Sequence, residues 1–212
     1  MNPKKLIVEL IGTFFLVFTV GMCVIDAPKD TIAPIAIGLS LMIMVYAGGH
    51  CSGGHYNPAV SLAAFVRGKL PATDLVPYWV AQVVGAAVAS GLVIYLRDHG
   101  GVAKEFSNAM LAKVALVEFL FTFALCYVVL NSATSKATAG NSFYGLAIGA
   151  TVIVGAFAVG SISGGAFNPA VAAGLTMMSV FTAKYVWVHI LAELAAGLAA
   201  GVLFKILYPD DV

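Results

Sequence analysis

Residues 52–60 of this chain read SGGHYNPAV, and residues 163–171 read SGGAFNPAV. In each segment a pair of glycines comes shortly before the tripeptide Asn-Pro-Ala, at Asn57 and at Asn168. Asn is a preferred N-cap residue, and Pro is favoured at the first helical position. Each tripeptide therefore predicts the start of a helix, and the residues of the two motifs are Asn57, Pro58, Ala59, Asn168, Pro169 and Ala170.

The two motifs belong to an internal repeat. Their asparagines are 111 residues apart (168 − 57), and the tripeptide Ala-Ile-Gly at 36–38 recurs at the same offset. Near the start of each half, Glu9 recurs as Glu118 at an offset of 109 (118 − 9). We therefore predict a single domain over residues 1–212 that contains two copies of one unit, about 1–105 and 106–212.

The composition indicates a membrane protein. Of the 212 residues, 61% are hydrophobic and only 10% are charged, whereas soluble domains carry about 25% charged residues. The apolar stretch at 6–25 resembles a signal peptide in isolation, but similar stretches recur along the chain and no small-residue cleavage site follows it. We interpret it as the first membrane helix.

Charges and turn residues divide the chain into six apolar segments, each long enough to cross about 30 Å of hydrocarbon. They are 5–25, 32–49, 76–96, 112–131, 143–160 and 184–207. The helices that the motifs begin, about 57–66 and 168–179, are shorter: ten residues rise about 15 Å, half of that thickness. The predicted fold class is an all-α membrane protein with six transmembrane helices and two half-helices.

Each repeat unit contains three full spans, so the two units enter the membrane from opposite sides. In such an inverted repeat, the functional site tends to lie near the midplane, where helices are broken. Six lysine and arginine residues are assigned to the side of the termini, and five, among them Lys29, to the other side. The basic residues near the N-terminus favour both termini in the cytoplasm, and we predict a multi-pass protein of the cell (plasma) membrane.

The two half-helices suggest a mechanism of selection. Each N-terminus carries roughly half a positive charge, so two that meet at the midplane repel cations and hydronium. The side-chain amides of Asn57 and Asn168 can donate hydrogen bonds to a passing oxygen, which interrupts the chain of donors along which a proton would hop. The pattern favours a passive channel for water or small uncharged solutes.

The paired motifs, their flanking residues and the paired glutamates together resemble the aquaporin or major intrinsic protein family along essentially the whole chain. The resemblance implies a homotetramer with one pore in each subunit. It also implies a selectivity filter at four positions that are located by counting from the motif asparagines: Ile37, Ala156, Gly165 and Val171.

This filter differs from that of the family, which usually has arginine where this chain has Val171. Loss of the guanidinium removes a fixed charge and five hydrogen-bond donors, so we expect a wide and apolar filter. A wider opening admits larger neutral solutes or gases, whereas an apolar constriction can dewet and hold back water. The Asp that follows the arginine in glycerol-conducting members is replaced by Ala172, which does not favour a standard glycerol facilitator.

Several polar residues lie within or beside the spans. A carboxylate is costly inside a membrane, and we expect Glu9 and Glu118 to accept hydrogen bonds from the non-helical backbone before each half-helix. His50 and His55 are expected to brace the first of these segments. His189 and Glu193, four residues apart on the last span, can pair on one helix face, either as a structural pair or as a proton-sensitive element.

Other classes of function fit less well. An alternating-access transporter needs an ionisable site at the helix break, and no Asp, Glu, Lys or Arg lies near either motif in the sequence. A structural membrane protein of the same fold, non-conducting or permeable only to gas, remains open because the expected filter is apolar. No convergent catalytic residues, cofactor motif or metal-ligand set is visible, so we predict neither an enzyme nor a cofactor. The net charge of +1 suggests no nucleic-acid partner.

Overall fold

The computed structural model describes residues 2–26 and 32–211. Within this part of the chain the secondary structure is helical apart from one isolated bridge. The helices are α1 (Pro3–Val24), α2 (Ala33–Ser52), α3 (Pro58–Arg67), α4 (Ala72–Arg97), α5 (Asn108–Val129), α6 (Tyr144–Ser163), α7 (Pro169–Met177) and α8 (Val186–Leu207). A π-helical turn, Leu130–Thr134, extends α5, and short 3-10 turns lie at Lys136–Thr138 and Pro209–Asp211.

Six of these helices are long and apolar enough to cross a membrane, and the exceptions are the short helices α3 and α7. The order long, long, short, long occurs in α1–α4 and again in α5–α8. The predicted fold class is therefore confirmed, and the protein is a multi-pass membrane protein. We call the face that carries the start of α1 and the end of α8 the termini side, and the other face the opposite side.

The ends of the predicted spans differ from the observed helices by a few residues. Helix α4 begins at Ala72 and helix α5 at Asn108, each four residues before the predicted start. Asp74 lies in the first turn of α4; the prediction placed this charge outside the span, which it began at residue 76. A charged side chain in the first turn still reaches the polar interface, so it does not end the helix. Lys29, which was counted for orientation, lies outside the described residues.

The helices are apolar outside and carry their polar groups inside. On α1, Ile7, Ile11 and Phe15 are exposed, whereas Glu9 and Thr13 are fully buried. Lipid tails tolerate the exposed apolar side chains, while a carboxylate needs hydrogen-bond donors that only the protein interior provides. The buried polar groups therefore lie in the protein interior, away from the lipid-facing surface.

Helices α2 and α6 cross at two glycines. A Cβ atom added to Gly38 would lie 2.5 Å from the carbonyl oxygen of Gly149, and one added to Gly149 would clash with the carbonyl oxygen of Gly38. Both obstacles are backbone atoms, which cannot move aside as a flexible side chain can. Small residues at such crossings let helices approach closely in a membrane.

We expect Gly38→Ala to destabilise the protein by about 1–3 kcal/mol, because overpacking at the crossing outweighs the better helix propensity of Ala. The matched control is Gly91→Ala on α4, where an added Cβ meets nothing within 4 Å. Thermal unfolding in detergent checks the pair. A Gly38→Ala variant as stable as Gly91→Ala would contradict the close approach of α2 and α6.

Arg67, at the end of the half-helix α3, connects three segments on the termini side. Its side chain is fully buried, and it donates hydrogen bonds to Oγ1 of Thr134 (2.9 Å) and to Oδ1 of Asp211 (3.0 Å). Ser135 donates a further hydrogen bond to Asp211, which lowers the pKa of that carboxyl group. These contacts hold the residues after α8 against the end of α3.

Candidate functional site

Non-helical backbone leads into each half-helix. The glycines of both segments have positive φ angles, in a region that only glycine adopts without strain: Gly53 (93°), Gly54 (63°), Gly164 (98°) and Gly165 (67°). Asn57 and Asn168 then adopt extended φ and ψ angles and cap the helices that begin at Pro58 and Pro169. The predicted helix starts are therefore confirmed at the residue level.

Reciprocal hydrogen bonds connect the two motifs. Nδ2 of Asn57 donates to the backbone carbonyl of Phe167 (2.9 Å), and Nδ2 of Asn168 donates to that of Tyr56 (2.8 Å). Each Oδ1 accepts from its own helix, at Ala59 N (2.8 Å) in the first half-helix and at Ala170 N in the second. The N-termini of α3 and α7 are thereby held together, although they are 111 residues apart in sequence.

This arrangement leaves both amides able to act on a ligand. A side-chain amide has two N–H groups, and the carbonyl contacts use one in each asparagine. Both side chains line the same cavity, into which the second N–H can donate. Because two helix N-termini meet here, the local potential is positive.

Glu9 holds the backbone that precedes α3. Its carboxylate accepts hydrogen bonds from the backbone N–H groups of His55 (2.9 Å) and Tyr56 (2.7 Å), from Oγ of Ser52 (2.7 Å) and from Nε2 of Gln82 (2.8 Å). The side chain is fully buried. The hydrogen bonds expected of Glu9 are therefore present, and two more come from side chains.

In the second half, two carboxyl groups share this task. Glu118 accepts from the backbone of Ala166 (3.1 Å) and Phe167 (2.8 Å), and Glu193 accepts from that of Asn168 (3.1 Å). The two side chains are fully buried and accept from neighbouring residues of one segment. Two buried carboxyl groups therefore lie side by side where the first half has one.

Glu193 occupies the place that Gln82 has in the first half, since the two are 111 residues apart (193 − 82). Gln82 donates an N–H to Glu9, whereas Oε2 of Glu193 has no hydrogen-bond partner in the described part of the chain. The predicted pairing of His189 with Glu193 is wrong. Nε2 of His189 instead contacts the carbonyl oxygen of Ser163 at 3.1 Å and lies 3.9 Å from Oε1 of Glu118.

The two histidines before the first motif have different environments. His55 is buried, its Nδ1 lies 3.1 Å from Oγ of Ser61, and its ring packs against Tyr78. His50 is exposed near the end of α2 and makes no hydrogen bond to any residue in 2–26 or 32–211. The expectation that both histidines brace the segment is therefore wrong for His50, because the helix carries it to the surface. No group of three or more potential metal ligands occurs in the described residues.

A cavity of about 310 Å³ lies beside the paired motifs. All four positions at which the family resemblance implies a filter line this cavity: Ile37, Ala156, Gly165 and Val171. Most of the remaining lining is aliphatic or aromatic. A second cavity of about 500 Å³ opens on the termini side, where its lining includes Gly53, His50 and Lys69. Since Gly54 lines the first cavity, the glycine segment lies between the two.

One lining residue was missed by the sequence analysis. Lys104, in the segment between α4 and α5, lines the first cavity together with His55, and these are the two titratable side chains among its described lining residues. The spacing of the motifs does not predict that Lys104 lies at the cavity, because Lys104 belongs to a loop without regular secondary structure. Its closeness to the cavity follows only from how that loop packs.

Comparison with known proteins agrees with this arrangement. The sequence profile described as Major intrinsic protein (MIP) matches residues 1–204. Aquaporin NIP1-1 of Zea mays is 34% identical over 215 residues, which cover 96% of this chain and 74% of that protein. Aquaporin Z of Rhodopseudomonas palustris is 34% identical over 232 residues, which cover 99% of this chain and 95% of that protein.

A glycerol uptake facilitator protein-like 6 of Lactiplantibacillus plantarum is 32% identical over 98% of this chain and 100% of its own length. The X-ray structure of the aquaglyceroporin from Plasmodium falciparum superposes with a TM-score of 0.82 at 21% identity and covers 99% of this chain and 98% of that one. This second likeness concerns the fold. Because the matches extend over nearly the whole sequence and are not confined to the motifs, the chain belongs to the major intrinsic protein family, whose aquaporin and aquaglyceroporin members are channels for water or small neutral solutes and not enzymes.

Proposed function

We propose that this protein is a passive channel whose pore passes between the glycine segments and the paired motifs, and that ions and protons are excluded there. The observation that carries the proposal is the reciprocal pair of hydrogen bonds from Asn57 and Asn168. It leaves one N–H of each amide for a solute oxygen, at the point where two helix N-termini repel cations.

The proposed filter consists of Ile37, Ala156, Gly165 and Val171. None of these side chains donates a hydrogen bond or carries a charge, so they exert little selection on polarity and leave room for solutes larger than water. Relatives named as aquaporins and as a glycerol uptake facilitator-like protein both match this chain, which supports water and glycerol as solutes. The width expected of the filter extends the proposed range to urea and dissolved gases.

The assembly and the orientation are also proposals. Each subunit forms its own pore, and a homotetramer places the exposed apolar faces of the helices against one another and against lipid. The basic residues near the N-terminus, Lys4 and Lys5, favour the cytoplasm for the termini side.

Stopped-flow swelling of proteoliposomes tests the channel. We expect the wild-type protein to raise permeability to water, and to at least one of glycerol and urea, above that of protein-free liposomes, while a pH-sensitive dye inside reports no added proton flux. A wild-type protein that matches protein-free liposomes for every solute would instead favour a non-conducting structural protein of the same fold, for which the apolar lining is the supporting observation.

A matched pair of α6 variants shows whether transport uses the proposed cavity. Ala156→Trp places a large side chain in the lining and is expected to reduce solute permeability at least about tenfold. Val154→Trp places the same side chain on the outer surface, where Val154 is 58% exposed, and is expected to leave permeability unchanged. Equal permeability of the two variants would place the pathway elsewhere.

A further inference from the structure

The segment between α4 and α5 is fixed to the segment that follows α7. The backbone N–H of Gly101 donates to the carbonyl oxygen of Met178 (2.8 Å), and that of Lys104 donates to the carbonyl oxygen of Val180 (2.8 Å). Lys104 and Phe181 also form a parallel bridge. The backbone of Lys104 is therefore held on the opposite side of the molecule, close to the second half-helix.

The side chain of Lys104 reaches the end of α6. Its Nζ donates to the carbonyl oxygen of Ser161 (2.8 Å) and lies 5.5 Å from the centroid of the Phe106 ring. Ser161 is in the last turn of α6, where carbonyl groups lack helical partners and the dipole is negative. Both features favour an ammonium group at this point.

The charge of Lys104 is not consumed by this contact. An ammonium group has three donors, and Ser161 accepts one of them. No carboxylate in the described part of the chain forms an ion pair with it. Lys104 lines the same cavity as Ala156, Gly165 and Val171, so a positive group with free donors faces a lining that is otherwise apolar on this side.

We propose that Lys104 is a specificity-determining residue, which supplies from the loop the fixed positive charge that the filter lacks at Val171. The favoured solutes are small, neutral and oxygen-bearing, and small organic cations of the same shape are rejected at the mouth on the opposite side. The inference rests on the proposed channel function and deepens it.

A purely structural role makes a different prediction. If Lys104 only caps α6, its loss lowers stability and leaves charge selectivity unchanged. Lys104→Met keeps most of the apolar stem and removes the charge, whereas Lys104→Arg keeps the charge and the donors. Lys184→Met is the matched control, because Lys184 is an exposed lysine on the same side whose ammonium lies over the Tyr185 ring and which does not line the cavity.

Urea and the guanidinium ion are suitable probes because they are nearly equal in size and shape and differ in charge. The assay uses proteoliposomes at low ionic strength, with each probe at millimolar concentration. The measured quantity is the permeability to guanidinium divided by the permeability to urea. If the wild type passes urea poorly, the permeability to water replaces that to urea in the ratio. We expect this ratio to rise about threefold or more in Lys104→Met. The reason is that the variant removes the repulsion between a unit charge and a passing ion about 6 Å away. Lys104→Arg and Lys184→Met should stay within twofold of the wild type.

A ratio in Lys104→Met equal to that of Lys184→Met would overturn the inference and leave the channel function intact. A wild-type protein that conducts no solute would remove the channel function, and the inference with it. If Lys104→Met does not assemble, Lys104→Gln serves the same comparison, because its amide still donates hydrogen bonds without a charge and is expected to raise the ratio as well.

Discussion

The Val171→Arg variant is expected to exclude glycerol and urea while it still passes water, with glycerol permeability reduced at least about tenfold. Val171 lies in the first turn of α7 and lines the cavity of about 310 Å³. A guanidinium group at this point occupies part of that volume, and its five donors can hydrogen-bond water better than an aliphatic side chain can. Stopped-flow swelling with water, urea and glycerol measures the change.

Val171→Leu is the matched control, because it enlarges the side chain without a charge or a donor and should reduce glycerol permeability much less. The guanidinium group also lies near the positive end of the α7 dipole and shares the cavity with Lys104, so the variant is expected to be less stable than the wild type. Adding Lys104→Met should recover part of that stability. Glycerol permeability of Val171→Arg equal to that of the wild type would show that Val171 is not part of the filter.

The Glu9→Gln variant is expected to lose about 2–4 kcal/mol of stability. Four donors converge on the carboxylate of Glu9, two of them from the backbone that precedes α3. A glutamine side chain has only one acceptor oxygen, and its amide N–H groups face the donors that the second oxygen accepted from. At least two buried donors therefore lose their acceptor, and each unsatisfied donor costs about 1–3 kcal/mol of stability. Thermal unfolding in detergent should show a decrease in Tm on the order of 5–15 °C.

Glu193→Gln, the same chemical change in the second half, is the matched control and is expected to be neutral or stabilising. An amide at position 193 can donate to Glu118 as Gln82 donates to Glu9, while its oxygen still accepts from the backbone of Asn168. It also replaces one of two buried carboxyl groups that lie side by side with a neutral amide. Equal losses of stability in Glu9→Gln and Glu193→Gln would contradict the different roles that the hydrogen bonds assign to these two carboxyl groups.

The predictions that held are those that depend on local sequence. Asn57 and Asn168 cap helices because capping needs only a side-chain oxygen two or three residues before the N–H groups it accepts from. The six spans were found because a membrane helix needs about 20 apolar residues in succession. Their ends were less accurate; at α4, for example, the charge of Asp74 in the first turn is compatible with the helix.

The sequence alone therefore determined the membrane class, the paired half-helices and the need for Glu9 and Glu118 to accept hydrogen bonds from nearby backbone. Tertiary structure decided which groups meet. It placed His50 at the surface, Glu193 beside Glu118 and His189 against Ser163. It also brought Lys104 to the cavity. The physical reason is range: caps and apolar length act within a few turns of one helix, whereas these contacts join segments tens of residues apart and depend on the course of loops and the approach of packed helices.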